Sequence, residues 1–174
     1  KAPEKMDFKL SDAIIRGTGV GMPLGILNSP ALVTQAKEGS QTADTININN
    51  LVKMLSRLPT SSRRNAVWLI HPDAEPQLPL MSVGQQPVYM MPGNGATMAP
   101  FGTLLGRPVI PHQVCETVGD LGDVMLCDFG QYLSAVKTGN GYDANGIRSD
   151  SSMHLWFDQD IMAFKFTMRV AGQP

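Results

Sequence analysis

The chain has 174 residues, 43% hydrophobic and 17% charged, enough apolar material for one folded domain, with or without an appendage, and too much for a disordered chain. A formal net charge of −1 and a pI near 6.3 leave no basic surplus for releasing phosphate counterions, which argues against sequence-specific nucleic-acid binding. Seventeen Gly and thirteen Pro favour strands and irregular turns over a helical bundle.

Residues 1–27 read as a short amphipathic piece and then a glycine series, Gly17, Gly19, Gly21 and Gly25, with Pro23 inside it. Such spacing marks a loop with special backbone needs. Residues 28–44 are small and polar and read as extended or loop structure around Ala31, Leu32 and Val33. A helix is predicted over residues 47–58, because Ile48, Leu51, Val52, Leu55 and Leu58 form one apolar stripe. Asn47 or Thr45 can cap its start, and Pro59 ends it, since the residue before proline avoids the helical region. Lys53, Arg57, Arg63 and Arg64 gather at or beyond its C-terminal half, where cations complement the helix dipole.

Residues 66–70 (Ala-Val-Trp-Leu-Ile) are an apolar run of strand length, stopped by His71-Pro72. Asp73 is expected to cap a second, short helix that Pro79 ends. Proline and glycine dominate residues 81–100, where Asn94-Gly95 suits a tight hairpin turn, and this segment reads as an excursion outside the core. Strands are predicted at residues 107–111, 124–127 and 132–137, the last two as a meander. After turns at Asn140-Gly141 and Asn145-Gly146 comes the cleanest alternation in the chain. Met162, Phe164, Phe166, Met168 and Val170 point one way, and Ile161, Ala163, Lys165, Thr167 and Arg169 the other. One buried face is expected, on a strand of about ten residues and roughly 33 Å that can project as an arm or rib.

No constellation of reactive residues stands out. The glycine series lacks the Gly-Lys-Ser/Thr ending of a phosphate-binding loop, follows no convincing strand, and loses a donor at Pro23. His71, His112 and His154 are scattered outside any metal-binding spacing. Asp120, Asp123, Asp128, Asp158 and Asp160 sit beside glycines or between strands, where Asp makes turns. Cys115 and Cys127, twelve apart, suit neither a redox pair nor a zinc knuckle, and neither has a basic neighbour to stabilise a thiolate. They read as buried thiols in a reducing compartment. The eleven methionines read as core filling, with Met54 and Met125 inside helix or strand patterns and Met162 and Met168 on the apolar face of the last strand. No catalytic, cofactor-binding or metal-binding residue is assigned. No apolar run approaches the roughly 20 residues of a bilayer span, and no leader-like start is present, so a soluble cytosolic protein is expected. A first residue of Lys1 points to a chain cut from a longer polypeptide.

Taken in order, five segments resemble the Hong Kong 97 type of tailed-phage major capsid protein. They are the glycine series from Gly17 to Leu27; the 47–58 helix followed by Asn65-Ala-Val-Trp-Leu-Ile-His-Pro-Asp73; and Thr103-Leu-Leu-Gly-Arg-Pro-Val-Ile110. The fourth is Gly122-Asp-Val-Met-Leu-Cys-Asp-Phe-Gly-Gln-Tyr132, and the last is His154-Leu-Trp-Phe157 with the closing Arg169-Val-Ala-Gly172. Each motif alone is weak; five in order over nearly the whole chain make the match.

The resemblance implies an α+β fold with an axial domain at residues 28–136 and parts of a peripheral domain at 1–27 and 137–174. It further implies a structural, non-enzymatic protein that assembles as pentamers and hexamers into an icosahedral phage or prophage head. A scaffolding segment and a maturation protease are the implied partners, and DNA is enclosed cargo only. The implied location is the virion capsid, made in the bacterial host cytoplasm, with no cofactor and no membrane partner. The family's N-terminal arm, extended loop and long spine helix precede the glycine series and are expected to be missing here. Two other readings stay open: an encapsulin-type nanocompartment shell, which shares the fold, and a small α+β nucleotide-binding enzyme using the glycine series and the Asp128 region.

Overall fold

The structure, a computed structural model, describes residues 2–92, 101–154 and 157–174. The expected Asn94-Gly95 turn and the Leu155-Trp156 step of the closing motif lie outside the described residues. In chain order the helices are α1 (Ala2–Arg16) and α2 (Ile48–Arg57). The strands are β1 (Val67–Ile70), β2 (Ser82–Val83), β3 (Gln86–Pro87), β4 (Tyr89–Met90), β5 (Thr103–Leu104), β6 (Arg107–Pro111), β7 (Val124–Cys127), β8 (Leu133–Val136), β9 (Ile147–Ser152), β10 (Ala163–Met168) and β11 (Val170–Gln173). Two compact units result, residues 31–131 and residues 1–30 with 132–174. No described helix is long and apolar enough to cross a membrane.

Residues 31–131 are built on a five-stranded sheet in the order β4-β5-β6-β1-β7. Interior strand β1 pairs parallel with β6 (Trp68 beside Val109) and antiparallel with β7 (Trp68 beside Leu126). A strand flanked on both sides reads as an uninterrupted apolar run, and Trp68, Leu69 and Ile70 are all buried. Trp68 is the centre of the core: it is fully buried, and its indole N–H donates to the Leu104 carbonyl at 3.1 Å, satisfying the one polar group a buried tryptophan carries. Helix α2 adds Leu51, and the 3-10 turn Pro72–Gln77 with the residue after it adds Ala74 and Leu78.

Local signals place α2 as expected. The Asn47 side chain accepts from the Asn49 N–H at 3.1 Å, and Leu58, ahead of Pro59, is extended. Arg63 folds back to donate to the carbonyls of Ser56 (3.1 Å) and Leu58 (3.3 Å), so its charge meets the negative end of the helix. Val52 departs from the expected stripe at 48% exposed; the buried side runs through Leu51, with Ile48, Met54 and Leu55 half-buried.

Three expectations in this unit are corrected. The short turn after β1 is capped by His71, not Asp73: the His71 Nδ1 accepts from the Asp73 N–H at 3.2 Å. The proline-rich excursion is part of the core, because β4 joins the sheet through β5 and brings in Tyr89, while Met81 is also buried. Tyr89 lies so close to Gly102 that a Cβ there would collide with its ring. Finally, the 124–127 and 132–137 strands form no meander, since β7 pairs with β1 and β8 with β11. The 3-10 turn Phe129–Gln131 intervenes, held by the Asp128 carboxylate accepting from the Gly130 N–H at 3.0 Å.

In the other unit α1 is a full 15-residue helix where only a short amphipathic piece was expected. Pro3 and Glu4 sit in its first turn, which suits both, and Met6, Leu10 and Ile14 are half-buried beside buried Ile15. Its C-terminal carbonyls are satisfied by the Asn28 amide, which donates to Arg16 and Gly17 at 2.9 Å each. The glycine series then packs backbone on backbone: a Cβ on Gly17 would collide with the carbonyl oxygens of Ala13 and Pro23. Instead of one long final strand, the chain breaks at Arg169 into β10, paired with β9, and β11, paired with β8.

Candidate assembly surface

The β9 and β10 strands form a two-stranded antiparallel ribbon. Their register opposes Phe164 to Ser151, Phe166 to Ser149 and Met168 to Ile147 on one face. The other face carries Lys165 opposite Asp150 and Thr167 opposite Arg148, with Arg148 Nη2 3.0 Å from the Asp150 carboxylate. Serines are too short to cover a ring across the ribbon. Phe164 is therefore 65% exposed and Phe166 47% exposed, so the expected burial of the face holding Phe164 and Phe166 does not occur within this chain. Exposed rings on one uncharged face are the usual signature of a surface that something else covers.

Nearby, three of the resembling motifs meet. The Leu24 N–H donates to the Gly172 carbonyl at 2.9 Å, and the Tyr132 hydroxyl donates to the Leu24 carbonyl at 2.9 Å. A Cβ on Gly172 would strike the Tyr132 hydroxyl, so the closing Arg-Val-x-Gly motif needs its glycine for this close approach. Burial raises the Tyr132 phenol above its ordinary value, which keeps it a donor.

The residues weighed for chemistry serve structure where they are described. Amides of the glycine series are used internally, Gly17 donating to Ala13 at 2.9 Å and Gly25 to Gly17 at 2.8 Å. That series follows the C-terminal, electronegative end of α1, where a phosphate would be repelled. His112 Nδ1 accepts from the Val114 N–H at 3.2 Å. Asp123 accepts from the amides of Gly119 (3.1 Å) and Val124 (2.6 Å). Burial, with Cys115 nearby, pushes the Cys127 thiol up to about 12, so it stays protonated and unreactive at neutral pH. Among the described residues no three of His, Cys, Asp or Glu converge as a metal site. The methionines divide: Met125 fills core as expected and Met81 does so within the excursion, whereas Met22, Met90, Met91, Met153 and Met162 lie on the surface.

Residues 31–131 also carry an open groove of about 350 Å³, lined by Pro72, Pro76, Pro79, Tyr89 and Met91 with Glu75 as its one carboxylate. A groove whose polar side chains are Glu75 and Tyr89 alone lacks the set of convergent donors and acceptors that chemistry requires. The surface legible from sequence was the alternation of residues 161–170; its exposure was not, because alternation shows that a face wants cover without showing where the cover comes from.

A mixed sheet with one packed helix, flanked along the chain by a unit of ribbons and a lone helix, is an α+β architecture. The "Phage capsid family" model matches residues 1–174, and the chain belongs to that family. Two solved structures share the fold: the capsid of an empty GTA particle (TM-score 0.69, 18% identity) and that of a native GTA particle (TM-score 0.67, 17% identity), each computed with C5 symmetry. They cover 98% and 99% of this chain, and the chain spans 59% of each of theirs. No curated protein matches the chain. Family membership indicates a structural protein.

Proposed function

We propose that this chain is the axial domain and part of the peripheral domain of a major capsid protein that assembles pentamers and hexamers into an icosahedral phage-type head. The observation that carries the reading is family membership over the whole chain, supported by neighbours that are particle capsids with fivefold symmetry. In this reading residues 28–136, built on the compact unit 31–131, form the axial domain. Helix α1 and the glycine series, residues 1–27, then belong to the peripheral domain together with residues 137–174. Such a protein works by geometry: one subunit makes nearly equivalent contacts in rings of five and six, which asks for shape and many modest contacts and not for a catalytic pocket.

The same reading gives the whole protein a scaffolding segment, a maturation protease and enclosed DNA as partners, and a place in the virion after synthesis in the bacterial host. A charge near zero suits a wall that holds DNA without gripping it. Electron microscopy of the full-length product expressed in bacteria tests the proposal. Closed shells of phage-head dimensions are the expected result. A monomer stabilised by ATP or GTP, by about 2.7 kcal/mol at one hundred times the dissociation constant, would overturn it in favour of a nucleotide-binding enzyme.

A further inference from the structure

We propose that the face of the β9–β10 ribbon bearing Phe164 and Phe166 is a contact with a second copy of this chain. The inference rests on the capsid reading and adds to it a named surface. A two-stranded ribbon is marginal in water without a packed face, and this one leaves its two rings 65% and 47% exposed. The partner's chemistry follows from the register. All charge sits on the opposite face, as Arg148, Asp150 and Lys165, while the ring face carries Ile147, Ser149, Ser151 and Met168 besides the two phenylalanines. A face without a cation is poorly suited to nucleic acid or anionic lipid, and exposed aromatics are what the centres of protein interfaces are made of.

Area selects a second copy over an independent partner. Two phenylalanines bring about 150–250 Å² each, on a ribbon roughly 20 Å long and 10 Å wide. That falls short of the roughly 800 Å² per side of a stable one-to-one complex. A contact of this size holds when it is repeated around a closed ring, where each subunit is gripped from both sides.

The test uses the full-length product carrying this chain. Benzoylphenylalanine placed at position 164 and irradiated should give a covalent species of twice the chain mass. In parallel, Phe164→Ser with Phe166→Ser should raise the concentration needed for rings, read by native mass spectrometry, about tenfold or more. Crosslinks confined to one chain or made to a host protein overturn the inference, as do rings forming at unchanged concentration in the double variant. Should the double variant fail to fold, the crosslink in the otherwise parental chain still decides. Rings without the 164 crosslink sink this surface alone. A parent that forms neither rings nor shells sinks the capsid reading, and this inference with it.

Discussion

The two units of this molecule solve burial differently. Among the described residues every buried hydrophobic side chain except Ile15 belongs to residues 31–131, where α2, the five-stranded sheet and the turn after β1 enclose Trp68. The other unit holds itself by backbone close approach and hydrogen bonds, at Gly17, Gly25 and the Leu24, Tyr132 and Gly172 junction, and spends its apolar side chains on the surface. A self-sufficient core makes a unit that can hold its shape alone. A unit of ribbons with exposed rings is completed by what it touches.

Breaking the core should have the largest effect. Trp68→Ala removes the most enclosed side chain and orphans the Leu104 carbonyl; a cost of about 3–5 kcal/mol is expected, a large part of the total stability of a domain. Urea denaturation followed by hydrogen exchange should show residues 31–131 losing protection. Gly17→Ala comes next. Its Cβ would press on two backbone carbonyls that cannot rotate away, costing roughly 1–3 kcal/mol. Exchange should quicken in residues 1–30 and 132–174 and leave 31–131 protected. If both units lose protection together in either variant, the contrast drawn between them is wrong.

Asn47→Ala sharpens the comparison on a smaller scale, since the cap is worth about 1 kcal/mol and α2 contributes Leu51 to the core. A thermal melt should fall modestly, with loss of protection starting at the first turn of α2. This helix also shows what was legible in the sequence. Its cap, its apolar stripe and its stop at Pro59 all lie within a dozen residues, so local chemistry decided them. Strands β1, β6 and β7 were legible for the same reason, as short apolar runs. Partnership was not: only five residues separate β7 from β8, yet they pair with β1 and β11. A choice between partners far away in sequence leaves no local trace. The excursion misled in the opposite sense, because three prolines and three glycines mask the two core side chains, Met81 and Tyr89, that anchor it. Helix α1 was underestimated because its stripe is thin, with one fully buried residue in fifteen.

The smallest expected effect is the most informative. Phe164→Ser with Phe166→Ser replaces two large apolar residues, a change that in a core would be severe. On a ribbon face where the chain covers only about a third of Phe164 and half of Phe166, far less cover is lost than in a core, so stability should fall by no more than about 1 kcal/mol. Thermal denaturation of the monomeric form measures this directly. A melt lowered as far as that of Trp68→Ala would mean that the rings are enclosed within the chain after all, and the division into a buried unit and an assembly unit would fall. An unchanged melt together with weakened rings would place the energy of these residues between subunits, where a shell protein has use for it.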